Sequence, residues 1–140
     1  MAGLLVAGVL VTGCADDQQR YCEAVEEHQA ELSEQLAAGG PVALIDGLAT
    51  FEELAEEAPA DIRDEWSLLI DRVTVLRDVL DEVGVDAATY DVERPPAGLD
   101  DADADRIARA ARDLGSEETQ RALADLEQQA LDVCRTPLVV

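Results

Sequence analysis

Residues 62–83 constrain the fold more than any other stretch. Ile62, Trp66, Leu69, Val73, Leu76, Leu80 and Val83 follow one another at spacings of four and three. At ~100° per residue this spacing sets them on one face of a helix. A second apolar stripe, Leu68, Val75 and Val79, falls about 120° round the same helix. Arg63, Asp64, Ser67, Asp71, Thr74, Asp78 and Asp81 keep to the remaining arc. An apolar arc this wide demands neighbours on two sides, so this helix is expected at the centre of the fold. Pro59 and Asp61 open it and Gly84 stops it.

The rest of the chain carries the same period. Tyr21, Val25, His28, Leu32 and Leu36 share a face of a first helix, from about Asp17 to Ala38, with Cys22 beside the stripe. Gly39-Gly40-Pro41 stops that helix and Pro41 suits the first turn of the next. The next helix is expected to run unbroken to about Glu57. Its stripe is Leu44, Leu48, Phe51 and Ala55, with Ile45 and Leu54 flanking, and Glu52, Glu53, Glu56 and Glu57 lie outside. Val85 to Leu99 breaks the pattern, punctuated by Pro95-Pro96 and Gly98, with Tyr90 and Val92 expected to pin it to the core. A fourth helix, capped by Asp100 or Asp101, carries Ile107, Ala108, Ala111 and Leu114. Gly115-Ser116 divides it from a fifth, with Leu123, Leu126, Ala130, Val133 and Cys134, which ends by Pro137. No segment alternates with period two. The expected fold is all-α, a four- to five-helix bundle.

The chain opens MAGLLVAGVLVTGC. Leu4 to Val11 is apolar and uncharged. It falls well short of the ~20 residues that cross a membrane, but matches the apolar part of a signal peptide. It ends in Val11-Thr12-Gly13-Cys14, which resembles the bacterial lipobox: an aliphatic residue, a small or β-branched one, Gly or Ala, then Cys. The chemistry accounts for the pattern. The peptidase needs small side chains at the scissile bond, and the cysteine offers its thiol to a diacylglycerol. The resemblance implies removal of residues 1–13, lipid on Cys14 with palmitate among its acyl chains, a short polar tether over 14–20 and a helical domain over 21–140. It also implies a location at the extracytoplasmic face of the cell membrane. Two or three acyl chains suffice for stable anchoring. Met1-Ala2-Gly3 lacks the basic residues that usually open a signal peptide, which points either to a start codon upstream or to a weak signal.

Charge excludes more than it assigns. The net charge is -22, from 32 acidic against 10 basic residues, and every basic residue is arginine. The absence of Lys and Asn fits a GC-rich genome, and the acidity fits that or a salt-loving organism. Nucleic acid is excluded as a partner, since binding it relies on neutralising phosphates. Anionic headgroups are repelled too, so the membrane contact expected is the lipid alone.

With Cys14 taken by the lipobox, Cys22 and Cys134 remain, an even pair for an oxidising compartment. They are expected to form a disulfide. This would tie the start of the first helix to the end of the last and set both chain ends at one pole.

Other residues resemble sites without completing one. Asp101, Asp103 and Asp105 have the spacing that begins a calcium loop, but Arg106 stands where glycine is needed and Arg112 where the bidentate glutamate should be. His28, the sole histidine, has no second nitrogen ligand, so zinc is not expected and a half-buried packing role is. Carboxylates are too abundant for a spacing between two of them to carry information. There is no phosphate loop and no nucleophile elbow. No catalytic residue, metal or cofactor is assigned.

The lipobox, Tyr21-Cys22 with Val25, Gly84-Val85-Asp86 to Tyr90-Asp91, and Leu131-Asp132-Val133-Cys134 with Pro137 together resemble small uncharacterised lipoproteins of actinobacteria. The resemblance spans most of the chain and carries no activity with it. The expectation is a non-catalytic helical envelope protein with an unidentified protein partner. The alternative is a small-ligand binder with a pocket between helices.

Overall fold

A computed structural model describes residues 13–140, with side chains from Ala15 onward. Residues 1–12 of the expected signal segment and the Cys14 side chain lie outside the described residues. Six α-helices follow in order: α1 Gly13–Leu36, α2 Gly40–Asp46, α3 Leu48–Glu57, α4 Arg63–Glu82, α5 Asp101–Leu114 and α6 Glu117–Gln129. A short 3₁₀ turn, Ala87–Thr89, sits between α4 and α5, and a π-helical turn, Ala130–Cys134, closes α6. Among the described residues there is no strand. No described helix is long and apolar enough to cross a membrane.

The helices assemble as four rods, two of them broken. Contacts of Gln35 with Thr50, His28 with Glu53 and Arg20 with Glu57 run in opposite chain directions, so α2 and α3 return along α1. Arg106 with Glu82, then Arg72 with Asp113 and Glu118, show α5 and α6 following each other back along α4. The bundle expected from periodicity is therefore present, α1, α2–α3, α4 and α5–α6.

Helix α4 packs against α2, α3, α5 and α6, as its wide apolar arc requires. Trp66, Leu69, Val73, Leu76 and Leu80 are buried. The second stripe is only partly used: Leu68 and Val79 are half-buried, but Val75 is exposed. Its end is fixed by the backbone. Gly84, at φ 72°, lets the Val85 amide reach the Leu80 carbonyl at 2.9 Å and its own amide reach Asp81 at 3.1 Å. Those paired bonds satisfy carbonyls that the last turn leaves open, and buried Val85 closes over buried Leu80.

Four expectations change. The helix expected from Pro41 to Glu57 is two helices meeting at Gly47. A side chain there would meet the Phe51 ring at 3.2 Å and Leu36 at 3.4 Å, so glycine lets the α2–α3 junction sit tightly against these side chains. The buried face shifts accordingly to Ala43, Leu48, Phe51 and Leu54. Helix α1 starts earlier than expected, so residues 14–20, read as a tether, are helical, and Ala15 to Arg20 are exposed. It also stops two residues sooner than Ala38, at Leu36. In the 85–99 segment Tyr90 is buried, but Val92 is 53% exposed and pins nothing.

The junction between α5 and α6 follows local chemistry. Gly115 ends α5, and the Ser116 hydroxyl then accepts the Thr119 amide as the N-cap of α6. Asp100 caps α5 in the same way, accepting the Asp103 amide at 2.8 Å.

Candidate functional site

Cys22 and Cys134 form a disulfide, with Cα atoms 5.1 Å apart and a separation of 112 positions in sequence. Two elements bring them together. Cys22 sits beside the Tyr21–Val25 face of α1, and Cys134 ends the π-helical turn. The turn then stops at Arg135, which takes the left-handed conformation at φ 59°. Cys14 lies eight positions before Cys22 in the same helix, so the cysteine expected to carry lipid and the staple share one end of α1.

Tyr21, next in sequence to Cys22, belongs to a small buried polar pair. The Trp66 indole N–H donates to the Tyr21 hydroxyl at 3.2 Å, with both side chains buried. Burial pushes the Tyr21 hydroxyl up to about 12; the Trp66 hydrogen bond opposes this, and the Asp61 and Glu127 carboxylates add to it. The folded state therefore holds a proton that the unfolded chain releases near pH 10. Stability is complete below about pH 10 and falls from there to about pH 12, by up to ~1.4 kcal/mol per pH unit. Urea midpoints measured across that range should show the decline, and Tyr21→Phe should remove most of it. Tyr90, raised by burial and by Asp91, keeps the remainder. An equal slope in Tyr21→Phe would contradict the assignment.

The C-terminal tail docks beside this pair, a feature missed in sequence although Leu138-Val139-Val140 is an apolar ending. The Gln29 amide donates to the Pro137 carbonyl at 2.7 Å. The Leu138 amide donates to Glu127 at 3.0 Å, and the Val140 amide to the Ser33 hydroxyl at 3.0 Å. The tail thus runs along α1 in the same direction, away from the disulfide, with Leu138 buried.

The residues that imitate sites serve the fold. Asp103 pairs with Arg106 at 3.2 Å in the first turns of α5, and Asp101 and Asp105 are exposed. His28 is half-buried, as expected, with its Nε2 3.1 Å from Glu53 of α3 and its Nδ1 3.9 Å from Glu31. Among the described residues, no group of three or more His, Cys, Asp or Glu is placed to hold a metal ion.

Two apolar clefts stand out. One, of about 400 Å³, lies between the 85–99 segment and α5, with Tyr90, Pro96, Leu99, Ile107 and Ala108 in its wall. Asp91 braces its outer loop by accepting the Glu93 amide at 2.8 Å and pairing with Arg94. The other, of about 330 Å³, lies between α1, α3, α4 and α6, and the docked tail forms part of its wall. Neither a family model, nor a curated protein, nor a solved structure matches the chain.

Proposed function

We propose that the chain is a non-catalytic helical protein of the cell envelope, held at the extracytoplasmic face of the membrane by lipid on Cys14 and presenting its bundle to a protein partner. The observation that carries this reading is the disulfide between Cys22 and Cys134. Such bonds persist in oxidising compartments and are rare in the cytosol. Its Cys22 half lies in the same helix as Cys14, close to the start of the domain. The lipobox supplies the address and the disulfide fits it.

The described side chains support a structural role. Three arginines tie rods together: Arg72 with Asp113 and Glu118, Arg20 with Glu57, and Arg106 with Glu82. Cross-linking in native membranes, followed by mass spectrometry, tests the interaction reading. One protein partner recovered consistently is the expected result. A co-purifying small molecule with no protein partner would overturn it. One observation favours a second reading, a small-ligand binder: the apolar cleft between α1, α3, α4 and α6.

A further inference from the structure

We infer that this cleft is a binding site for an uncharged aliphatic molecule of roughly a dozen carbon atoms, bounded on one side by the C-terminal tail. The inference deepens the second reading and does not depend on the anchor. Its first support is the chemistry of the wall. Leu32, Phe51, Trp66, Leu69 and Leu126 form the floor, and Leu36 and Leu123 stand half-buried toward the mouth. Only Glu127 brings a charge, and its carboxylate already accepts the Leu138 amide. The Trp66 N–H is likewise committed to Tyr21. The site therefore offers a ligand a carbon surface with one carboxylate, Glu127, at its tail side. In a chain of net charge -22, that selects against anions, and a wall otherwise of carbon favours an uncharged molecule over a cation that must shed its water there.

Volume sets the size. A dry apolar cavity of ~150 Å³ holds one benzene. A cleft of about 330 Å³ then suits an apolar group of about twice that size, within the range of small-molecule pockets. The protein's own lipid, absent from a Cys14→Ser chain, does not reach the Leu32 side of it. Leu32 lies eighteen residues along α1 from Cys14, ~27 Å at 1.5 Å per residue. One acyl chain covers about half of a ~30 Å hydrocarbon core. The occupant is a separate molecule.

The tail gives the ligand a way in. Leu138 and Val139 belong to the wall, yet they are not part of a helix and are held by three hydrogen bonds to side chains of α1 and α6. Helical walls cannot move without breaking the bundle, whereas the tail can lift by giving up those bonds.

Trp66 is the only tryptophan in the chain and lies in the wall, so it reports occupancy. The probe is 10-bromo-1-decanol, whose bromine quenches indole fluorescence on contact. It is titrated into the full chain carrying Cys14→Ser, with equilibrium dialysis run in parallel. Saturable binding with quenching of Trp66 is expected. Leu123→Phe and Leu36→Phe fill the mouth from opposite helices and should each weaken binding roughly ten-fold. Val92→Ser, in the other cleft, should leave it unchanged. Saturable binding that leaves Trp66 unquenched, or that neither filling substitution weakens, overturns this site and leaves the ligand-binding reading standing. Binding that never saturates overturns both.

Discussion

Replacing Cys22 and Cys134 together by alanine is expected to lower the unfolding free energy by about 4–5 kcal/mol. The bond joins positions 112 residues apart, nearly the length of the described chain. In the chain-entropy account, closing a loop of about 100 residues removes ~4.7 kcal/mol of freedom from the unfolded state. A domain of this size is stable by roughly 5–15 kcal/mol in all, so the staple supplies a large share. Its position adds a local effect. It fastens the start of α1 to the turn that closes α6, and the docked tail begins directly after it. Urea unfolding of the oxidised protein and the double variant measures the difference, and the variant's steeper dependence on urea should report a more open unfolded chain. A loss below about 1 kcal/mol would contradict the chain-entropy account of this bond.

Trp66→Ala is the single substitution with the largest expected cost. The indole is 1% exposed, lies 6.0 Å from the Phe51 ring between centroids, and is the hydrogen-bond donor to buried Tyr21. Truncating a buried tryptophan costs about 3–5 kcal/mol in lost transfer energy and cavity. Here the Tyr21 hydroxyl also loses its partner, and an orphaned buried group costs ~1–3 kcal/mol. The expected result is a loss near the top of the first range. Trp66→Phe separates the two causes, because it keeps most of the volume and still orphans the hydroxyl. Chemical denaturation followed by circular dichroism, with the disulfide intact in every variant, gives both values. If Trp66→Phe costs nothing while Trp66→Ala costs several kcal/mol, packing alone is at work and the hydrogen bond is dispensable.

The central helix was legible because its signal was redundant. Ile62 to Val83 repeat the four-and-three spacing without interruption, and buried Leu69, Val73, Leu76 and Leu80 sit where the pattern puts them. Capping chemistry was equally local: Asp100, Ser116 and Gly84 act on their own helix ends. Features that depend on what lies opposite were not legible. Gly47 reads as one tolerated glycine in a helical pattern, and its tight packing against Phe51 and Leu36 is visible only in the fold. Val75 and Val92 are apolar by sequence and exposed in the fold, Val92 in the open wall of the cleft against α5. The disulfide followed from assigning Cys14 to the lipobox and pairing what remained. The cleft and its tail were illegible for a different reason. They arise from side chains on four helices and from Leu138, which lies 106 residues from Leu32 in sequence.

Anchoring at Cys14 is the claim on which the proposed role depends, and the mass of the mature N-terminal peptide tests it most directly. The protein is extracted from native membranes, digested and analysed by mass spectrometry. The expected peptide begins at Cys14, lacks residues 1–13, and carries a diacylglyceryl group that includes palmitate. Cys14→Ser should lose both the lipid and the cleavage. A peptide that retains residues 1–13, or an unmodified Cys14 thiol in membrane-derived protein, would contradict the account.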